Sequence, residues 1–389
     1  MNSMADLYLL DPDYILLNNG SLGACPRPVF QRWQELQHEA ERHPNAFLHR
    51  AGHLLNQART DLARAIDAEP GNVAFVTNVT VGLNHVIRCL PLNPGDEVLA
   101  SQHEYHSLNN AWEYKARSQG IRYIHQPVPL PLTSPEDFVD AFWQGVTPRT
   151  RVIFLSHITS PTALILPVEA ICRRARAAGI MSIVDGAHVV SQLPVSMKQI
   201  GADFYSGSLH KWAGVPRASA FVFARPEVQH LVEPMNIGAW SPHSPKAPPF
   251  ITSMEQMGTR DITRFLVVPD ALRFLQDHHW DDVRASCHQL AKDAQRRITE
   301  LTGIPPIHPL GDDRWFMQMA TTSLPPTDTG TLYRRLYDVH KIEAQPIRWM
   351  DRPLIRLSIQ AYNEPSDVDR LLDALREELP KARASGAPA

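Results

Sequence analysis

The segment Ser208-Leu209-His210-Lys211-Trp212 offers a hydroxyl, an imidazole and an amine within four positions. A lysine amine can attack a carbonyl or, once neutral, take a proton from carbon. Upstream, Ile183-Val184-Asp185-Gly186-Ala187-His188 sets an acid at the carboxyl end of an apolar run, where open α/β sheets bind ligands. A carboxylate buried there needs a cationic partner. A third segment, Thr77-Asn78-Val79-Thr80-Val81-Gly82, follows a strand ending at Val76 and precedes a helical stretch. The free N–H groups of such a helix start, with the Thr80 hydroxyl, suit a phosphate. Each segment has a plainer reading when taken singly: a solvated surface lysine, and an Asp and a Thr that cap helices.

These residues need a scaffold. From Val73 to about Val222, short β-branched runs alternate with helical stretches, as a mostly parallel sheet with crossover helices requires. The pattern predicts strands at Val73–Val76, Glu97–Ala100, Arg122–Ile124, Arg151–Leu155, Met181–Val184 and Ala220–Phe223. It predicts helices at Leu83–Leu90, Pro135–Gln144 and Val168–Ala178. Four prolines in Ser241–Phe250 predict an irregular loop. Beyond Trp280 a long helix is expected to about Leu301, then strands near Trp315–Ala320 and Leu354–Ile359 around a helix at Thr329–His340. The chain after Pro380 reads as a frayed tail. The expected division is an N-terminal segment 1–70 serving the small domain and the active-site mouth, a large α/β domain 71–270, a small α+β domain 271–380, and a tail 381–389.

With 389 residues, 43% hydrophobic, 20% charged and a net charge of −3, the composition is that of a soluble enzyme and gives no electrostatic reason for a nucleic-acid or membrane partner. Cys25, Cys89, Cys172 and Cys287 show neither a C-x-x-C pair nor metal-ligand spacing, so no metal is expected. The N-terminus does not resemble a signal peptide and no apolar run approaches a membrane span, so a cytoplasmic location is expected. No G-x-G-x-x-G follows the first core strand, which argues against a dinucleotide oxidoreductase.

Pyridoxal 5′-phosphate (PLP) would supply the cationic partner for Asp185 through its protonated ring nitrogen, making the ring an electron sink. Its phosphate would rest on Val79 and Thr80, with Ser208 and His210 arriving from the lysine loop. The chain resembles class V PLP enzymes, especially the isopenicillin N epimerase-like branch and more distantly the cysteine desulfurases. The resemblance rests on Leu17–Gly23, His103-Glu104-Tyr105, Ser156–Thr162, Asp185–His188, Ser208–Lys211, Gly258-Thr259-Arg260-Asp261, Arg356 and Tyr362-Asn363. It implies PLP-dependent transferase fold type I, with Lys211 on the cofactor's C4′ aldehyde, Asp185 on the ring nitrogen and Tyr105 stacked over the ring. His188 stands where desulfurases usually have Gln near the phenolic oxygen, and Ser160 where they have Asn. Thr259 should reach the phosphate of a second subunit, which makes a homodimer part of the site. Arg356 should grip the substrate carboxylate; Asn19, Gly20, Arg50 and Arg260 should border the substrate.

The resemblance leaves the reaction open. Desulfurases of this family carry a nucleophilic Cys shortly before the carboxylate-binding arginine, and Gly330–Arg356 has none. The expectation is therefore chemistry at the α-carbon of an amino acid, epimerase-like or aminotransferase-like, with Tyr105 or water serving the face opposite Lys211. The alternatives are a C–S or β-elimination lyase that needs no protein thiol, and an inactive PLP-fold binding protein.

Overall fold

The computed structural model describes residues 4–237 and 249–383. Its centre is a seven-stranded sheet. Numbered along the chain after a short β1 (Ile15–Leu16), the strands are β2 (Val73–Val76), β3 (Glu97–Ser101), β4 (Arg122–Gln126), β5 (Thr150–Ser156), β6 (Met181–Gly186), β7 (Phe204–Ser208) and β8 (Ala220–Ala224). Their order in space is β2-β8-β7-β6-β5-β3-β4, parallel except for β8, which runs antiparallel to both β2 and β7. The continuous apolar runs of β5 and β6 follow from burial on both faces: Val152, Phe154, Ile183 and Val184 are all buried. Each such side chain contributes roughly 1.5–3 kcal/mol relative to exposure.

Helices α1 (Asn19–Leu22), α2 (Arg27–Arg42) and α3 (Pro44–Ala65) precede the sheet; α4 (Val79–Cys89) and α5 (His106–Gln119) follow β2 and β3. The start of α4 is set by Asn78, whose side chain accepts from the Val81 N–H at 2.8 Å. Gly82 lets α4 press on the sheet, because a Cβ there would strike Val222 and Val76. A buried bidentate pair, Arg59 to Glu255 at 2.7 and 2.8 Å, joins α3 to the segment after the central sheet, and Glu255 also accepts from the Phe75 N–H of β2.

A second sheet is built from β9 (Met319–Ser323), β11 (Gln345–Trp349) and β12 (Arg352–Ser358), in the order β11-β12-β9, all antiparallel. The remaining strand, β10 (Ile342–Glu343), pairs in parallel with β1, Ile15 opposite Ile342, so the N-terminal segment is stitched to the chain's last third. No helix among the described residues is long and apolar enough to cross a membrane.

The structure corrects several expectations. Strand β7 and helix α5 form where none was assigned. The strand expected at Trp315–Ala320 lies instead at Met319–Ser323, because Trp315 and Phe316 are buried in the turn before it. Helix α4 begins at Val79, four residues earlier than expected. Of the proline-rich stretch, 241–248 falls outside the described residues, while Pro249 and Phe250 open a helix, Pro249–Glu255, with proline at a first-turn position it tolerates. Fraying does not set in at Pro380: Ala382 is buried and its carbonyl accepts from the Asp328 N–H at 2.8 Å.

Candidate active site

The carboxyl ends of β5, β6 and β7 converge with the start of α4 on a cavity of about 160 Å³. Lining it are Asn78, Val79, Thr80, Tyr105, Ser156, Ile158, Ser160, Asp185, Ala187, His188, Ser208, His210, Lys211 and, from the N-terminal turn, Ser21. Nine of the residues expected around the cofactor therefore meet at one place, contributed by five separate stretches of chain.

Asp185 is the next-to-last residue of β6 and is buried. Its Oδ1 accepts from the Ala187 N–H at 2.9 Å, and no cation among the described residues makes an ion pair with it. Burial raises its pKa, partly offset by that hydrogen bond and by Lys211. Lys211 Nζ lies 3.3 Å from His188 Nε2. Burial lowers the Lys211 pKa to about 8, with Asp185 opposing the shift and Arg356 adding to it. The shift from the ordinary lysine range brings a far larger share of the amine into the neutral form that attack on an aldehyde needs. Burial and the nearby Lys211 and Arg356 charges keep His188 neutral, and its buried Nδ1 has no partner. Ser208 Oγ is 3.1 Å from His210 Nδ1, which also faces the Ser219 carbonyl at 2.8 Å. Burial brings the His210 pKa down to about 4.

Arg356, on β12, is buried and contacts Ser160 and Ser21, two residues that line this cavity. It donates to the Ser160 carbonyl (2.7 Å), Ser160 Oγ (3.2 Å), Asn18 Oδ1 (3.2 Å) and Ser21 Oγ (3.3 Å), while its Nε has no partner. Burial lowers its pKa to about 10, opposed by Tyr105. Among the described residues no carboxylate pairs with it. A buried guanidinium surrounded by neutral acceptors keeps its full charge uncompensated, which is chemistry suited to an anion.

Asn19 supports the lysine loop, and Gly20 packs against Ser358, Met319 and Trp212. Asn19 Nδ2 donates to the Lys211 carbonyl at 3.0 Å, and its Oδ1 accepts from the Tyr362 hydroxyl at 3.0 Å. Gly23, at φ +73°, lets this turn press on the lysine loop, since a Cβ there would strike the His210 and Lys211 backbone. Six expected residues do not line the cavity: Asn19, Gly20 and Arg356 stand behind residues that do, and Thr259, Arg260 and Arg50 lie away from it within one chain. Thr259 is exposed; Arg260 lies over the Phe265 ring, 5.4 Å from its centroid; Arg50 is exposed on α3 and paired with Glu39. Sequence reasoning gave no individual role to Asn18, Ser21, Asn78, Ser156 or Glu104, all of which bond to or line the site. The visible signal was a cluster of small polar residues directly after an apolar run, Ile15-Leu16-Leu17-Asn18-Asn19-Gly20-Ser21.

The donor set fits PLP. An acid with no cation of its own, a half-buried lysine and a helix start with Ser208 and His210 beside it match the ring nitrogen, the aldehyde and the phosphate in turn.

The family model for class V aminotransferases matches residues 24–371. The chain is 34% identical over 379 residues to isopenicillin N epimerase of Streptomyces clavuligerus, covering 94% of this chain and 95% of the relative. It is 26% identical over 408 residues to a probable chloroplastic L-cysteine desulfhydrase of Arabidopsis thaliana, covering 94% and 83%. Among solved structures, a variant of the cystine C–S lyase C-DES with glycine covalently linked to its PLP cofactor superposes with a TM-score of 0.81 at 19% identity, covering 94% and 96%. A family match spanning most of the chain, full-length relatives and a cavity whose donors fit the cofactor lead to one conclusion: this chain belongs to the class V aminotransferase family and is a PLP-dependent enzyme of fold type I.

Proposed function

We propose that the enzyme acts at the α-carbon of a free amino acid, in the manner of an epimerase or an aminotransferase. The observation that carries this reading is Arg356, a buried guanidinium with no carboxylate partner among the described residues, held against Ser160 and Ser21 of the cavity that Lys211 lines. A bidentate grip by Arg356 on the substrate carboxylate would fix the α-carbon against Lys211. PLP, when bound, supplies an electron sink for charge developing at that carbon. Asp185 would keep a proton on the ring nitrogen, and Tyr105 would cover one ring face. Val79, Thr80, Ser208 and His210 would hold the phosphate, joined by Thr259 of a second copy in a homodimer. Lys211 would take the α-proton on its face, and Tyr105 or water would serve the other.

Persulfide-forming desulfuration is disfavoured because none of the four cysteines lines the cavity. Burial pushes Cys25, Cys172 and Cys287 up to about 12 and raises Cys89, so none is poised as a thiolate. A lyase that releases its product without a protein thiol is the second reading, supported by the desulfhydrase relative. The deciding experiment incubates the holoenzyme with a panel of amino acids in deuterated water. Deuterium at the α-carbon with loss of chirality supports epimerisation, and a keto acid with conversion of the cofactor to its amine form supports transamination. Pyruvate and ammonia from a β-substituted substrate would replace the main reading with the second.

A further inference from the structure

Next to Tyr105 stands a buried carboxyl that the reading above leaves unused. Glu104 is 4% exposed. Its Oε1 accepts from Ser101 Oγ at 2.5 Å, and its Oε2 accepts from the Ser156 N–H at 2.6 Å and the Ser156 hydroxyl at 2.7 Å. Ser101 is the last residue of β3 and Ser156 the last of β5, where it lines the cavity beside its register partner Asp185. Ser101 Oγ also accepts from the His103 N–H at 3.1 Å. The Glu104 main chain is held as well: Asn109 Nδ2 donates to its carbonyl at 3.4 Å, and Asn109 Oδ1 accepts from the Tyr123 hydroxyl at 2.6 Å. The chain therefore arrives at Tyr105 pinned to two strand ends and to the first turns of α5.

Packing alone does not call for this arrangement. An apolar side chain of similar size would fill the same space without desolvating a carboxyl. Three donors converge on the two oxygens, which suits the ionised form, while burial and the facing Asp185 on β6 work against it and bring the group up to about 7. Tyr123 of β4 also faces it, itself raised by burial first and by Glu104 second.

We propose that Glu104 is a positioning residue of the cofactor site: by clamping the ends of β3 and β5 it fixes the direction from which Tyr105 covers the cofactor ring. This rests on the assignment of Tyr105 to the ring face and is independent of which reaction follows.

The test is a double-mutant cycle read as PLP affinity of the apo-protein, for wild type, Glu104→Gln, Tyr105→Ala and the double variant, with the pH midpoint of the bound cofactor's absorption as second readout. Glu104→Gln keeps the shape but turns an amide NH2 toward donors. Its PLP dissociation constant is expected to rise about tenfold, with the absorption midpoint moved, and to rise hardly at all in the Tyr105→Ala background. Additive losses, or a folded Glu104→Gln with wild-type affinity and midpoint, overturn the proposal while leaving the stacking role of Tyr105 intact. Wild-type affinity in Tyr105→Ala removes the stacking role and the proposal with it. Should Glu104→Gln fail to fold, Ser101→Ala removes a single donor and carries the same cycle. About a threefold loss that vanishes without Tyr105 supports the clamp, and a loss that persists overturns it.

Discussion

The two ends of the site are built differently. At the cofactor end, Asp185, His188, Ser208, His210 and Lys211 sit on or just beyond neighbouring strand ends of one sheet. Their mutual contacts span short stretches of sequence: two residues for Ser208 and His210, 23 for Lys211 and His188. At the end proposed to take the substrate carboxylate, called the carboxylate end below, Arg356 meets Ser160 across 196 residues and Asn18 across 338. That end is held together by the β1–β10 pairing and by the Ser358 N–H donating to the Leu17 carbonyl at 2.8 Å. One end is fixed by a single rigid layer, the other by agreement among the N-terminal turn, the loop after β5 and the second sheet. The cofactor end should therefore fail all at once when its key group is removed, and the carboxylate end should weaken in steps.

The largest effect is expected from Lys211→Ala. Turnover should fall by about 10²- to 10⁴-fold, as when a positioned base is lost. Borohydride treatment should leave a pyridoxyl group on Lys211 in the wild type and on no lysine in the variant. The pH dependence follows from burial, which lowers the Lys211 pKa to about 8: the amine is charged below that value and neutral above it. Attachment of PLP to the apo-protein should thus accelerate as pH rises through about 8 and then level off. A rate flat from about pH 6 to pH 10 would mean that the amine is not the group being titrated.

Next comes Arg356→Lys, which replaces a two-pronged donor by a point charge. The KM for amino-acid substrates should rise about 10- to 100-fold, the loss of one strong charge-assisted contact, while covalent attachment of PLP is unchanged. A parallel loss of cofactor would erase the distinction between the two ends.

The same contrast decides what was legible in the sequence. Segment Asp185–His188 could be read because it follows an apolar run whose end marks a ligand site in an α/β sheet, whereas Ser208–Lys211, weak by itself, gained its weight from that acid and from the helix start at Thr80. The strand carrying Ser208 was less visible, since Phe204-Tyr205-Ser206-Gly207-Ser208 ends in residues of low strand preference. Helix α5 left a signal that went unused: Leu108, Trp112 and Lys115, its buried residues, recur at helical spacing. Arg356 came only from family resemblance, because nothing local marks an arginine on a strand as buried. Its supports, Asn18 and Ser21, are unreadable one by one, since their role exists only once β1 lies beside β10. Pro346 hid β11, proline being tolerated mainly at strand edges, and β11 is the edge of its sheet.

A smaller effect is expected at a place that belongs to neither end within one chain. Thr259 is exposed on the single chain, and as a phosphate contact to a second copy it should be silent in a monomer. Light scattering of the holoenzyme should report a dimer, and Thr259→Ala should weaken PLP binding about three- to tenfold, the value of one ordinary hydrogen bond. A monomer with full cofactor affinity would confine the whole cofactor end to one chain.

The smallest change is expected from Asn18→Ala, and it tests whether the carboxylate end weakens in steps. Asn18 Oδ1 accepts from Arg356 Nη2 at 3.2 Å and from the Ser21 hydroxyl at 2.9 Å, and its Nδ2 donates to Gln345 Oε1 at 3.1 Å. Removing the side chain takes away one of four contacts on the guanidinium, while Ser160 keeps its two. Arg356 should thus stay near its place but hold it less firmly, because a bidentate grip depends on the plane of the guanidinium as well as on its charge. KM should rise about threefold, with kcat and PLP affinity at wild-type values, as expected when a modest hydrogen bond acts on ground state and transition state alike. A fall in kcat at constant KM would show that Asn18 acts through the Lys211 loop instead, by way of its neighbour Asn19, whose Nδ2 donates to the Lys211 carbonyl. The N-terminal turn would then serve the cofactor end as much as the carboxylate end, and the division between the two would have to be redrawn around it.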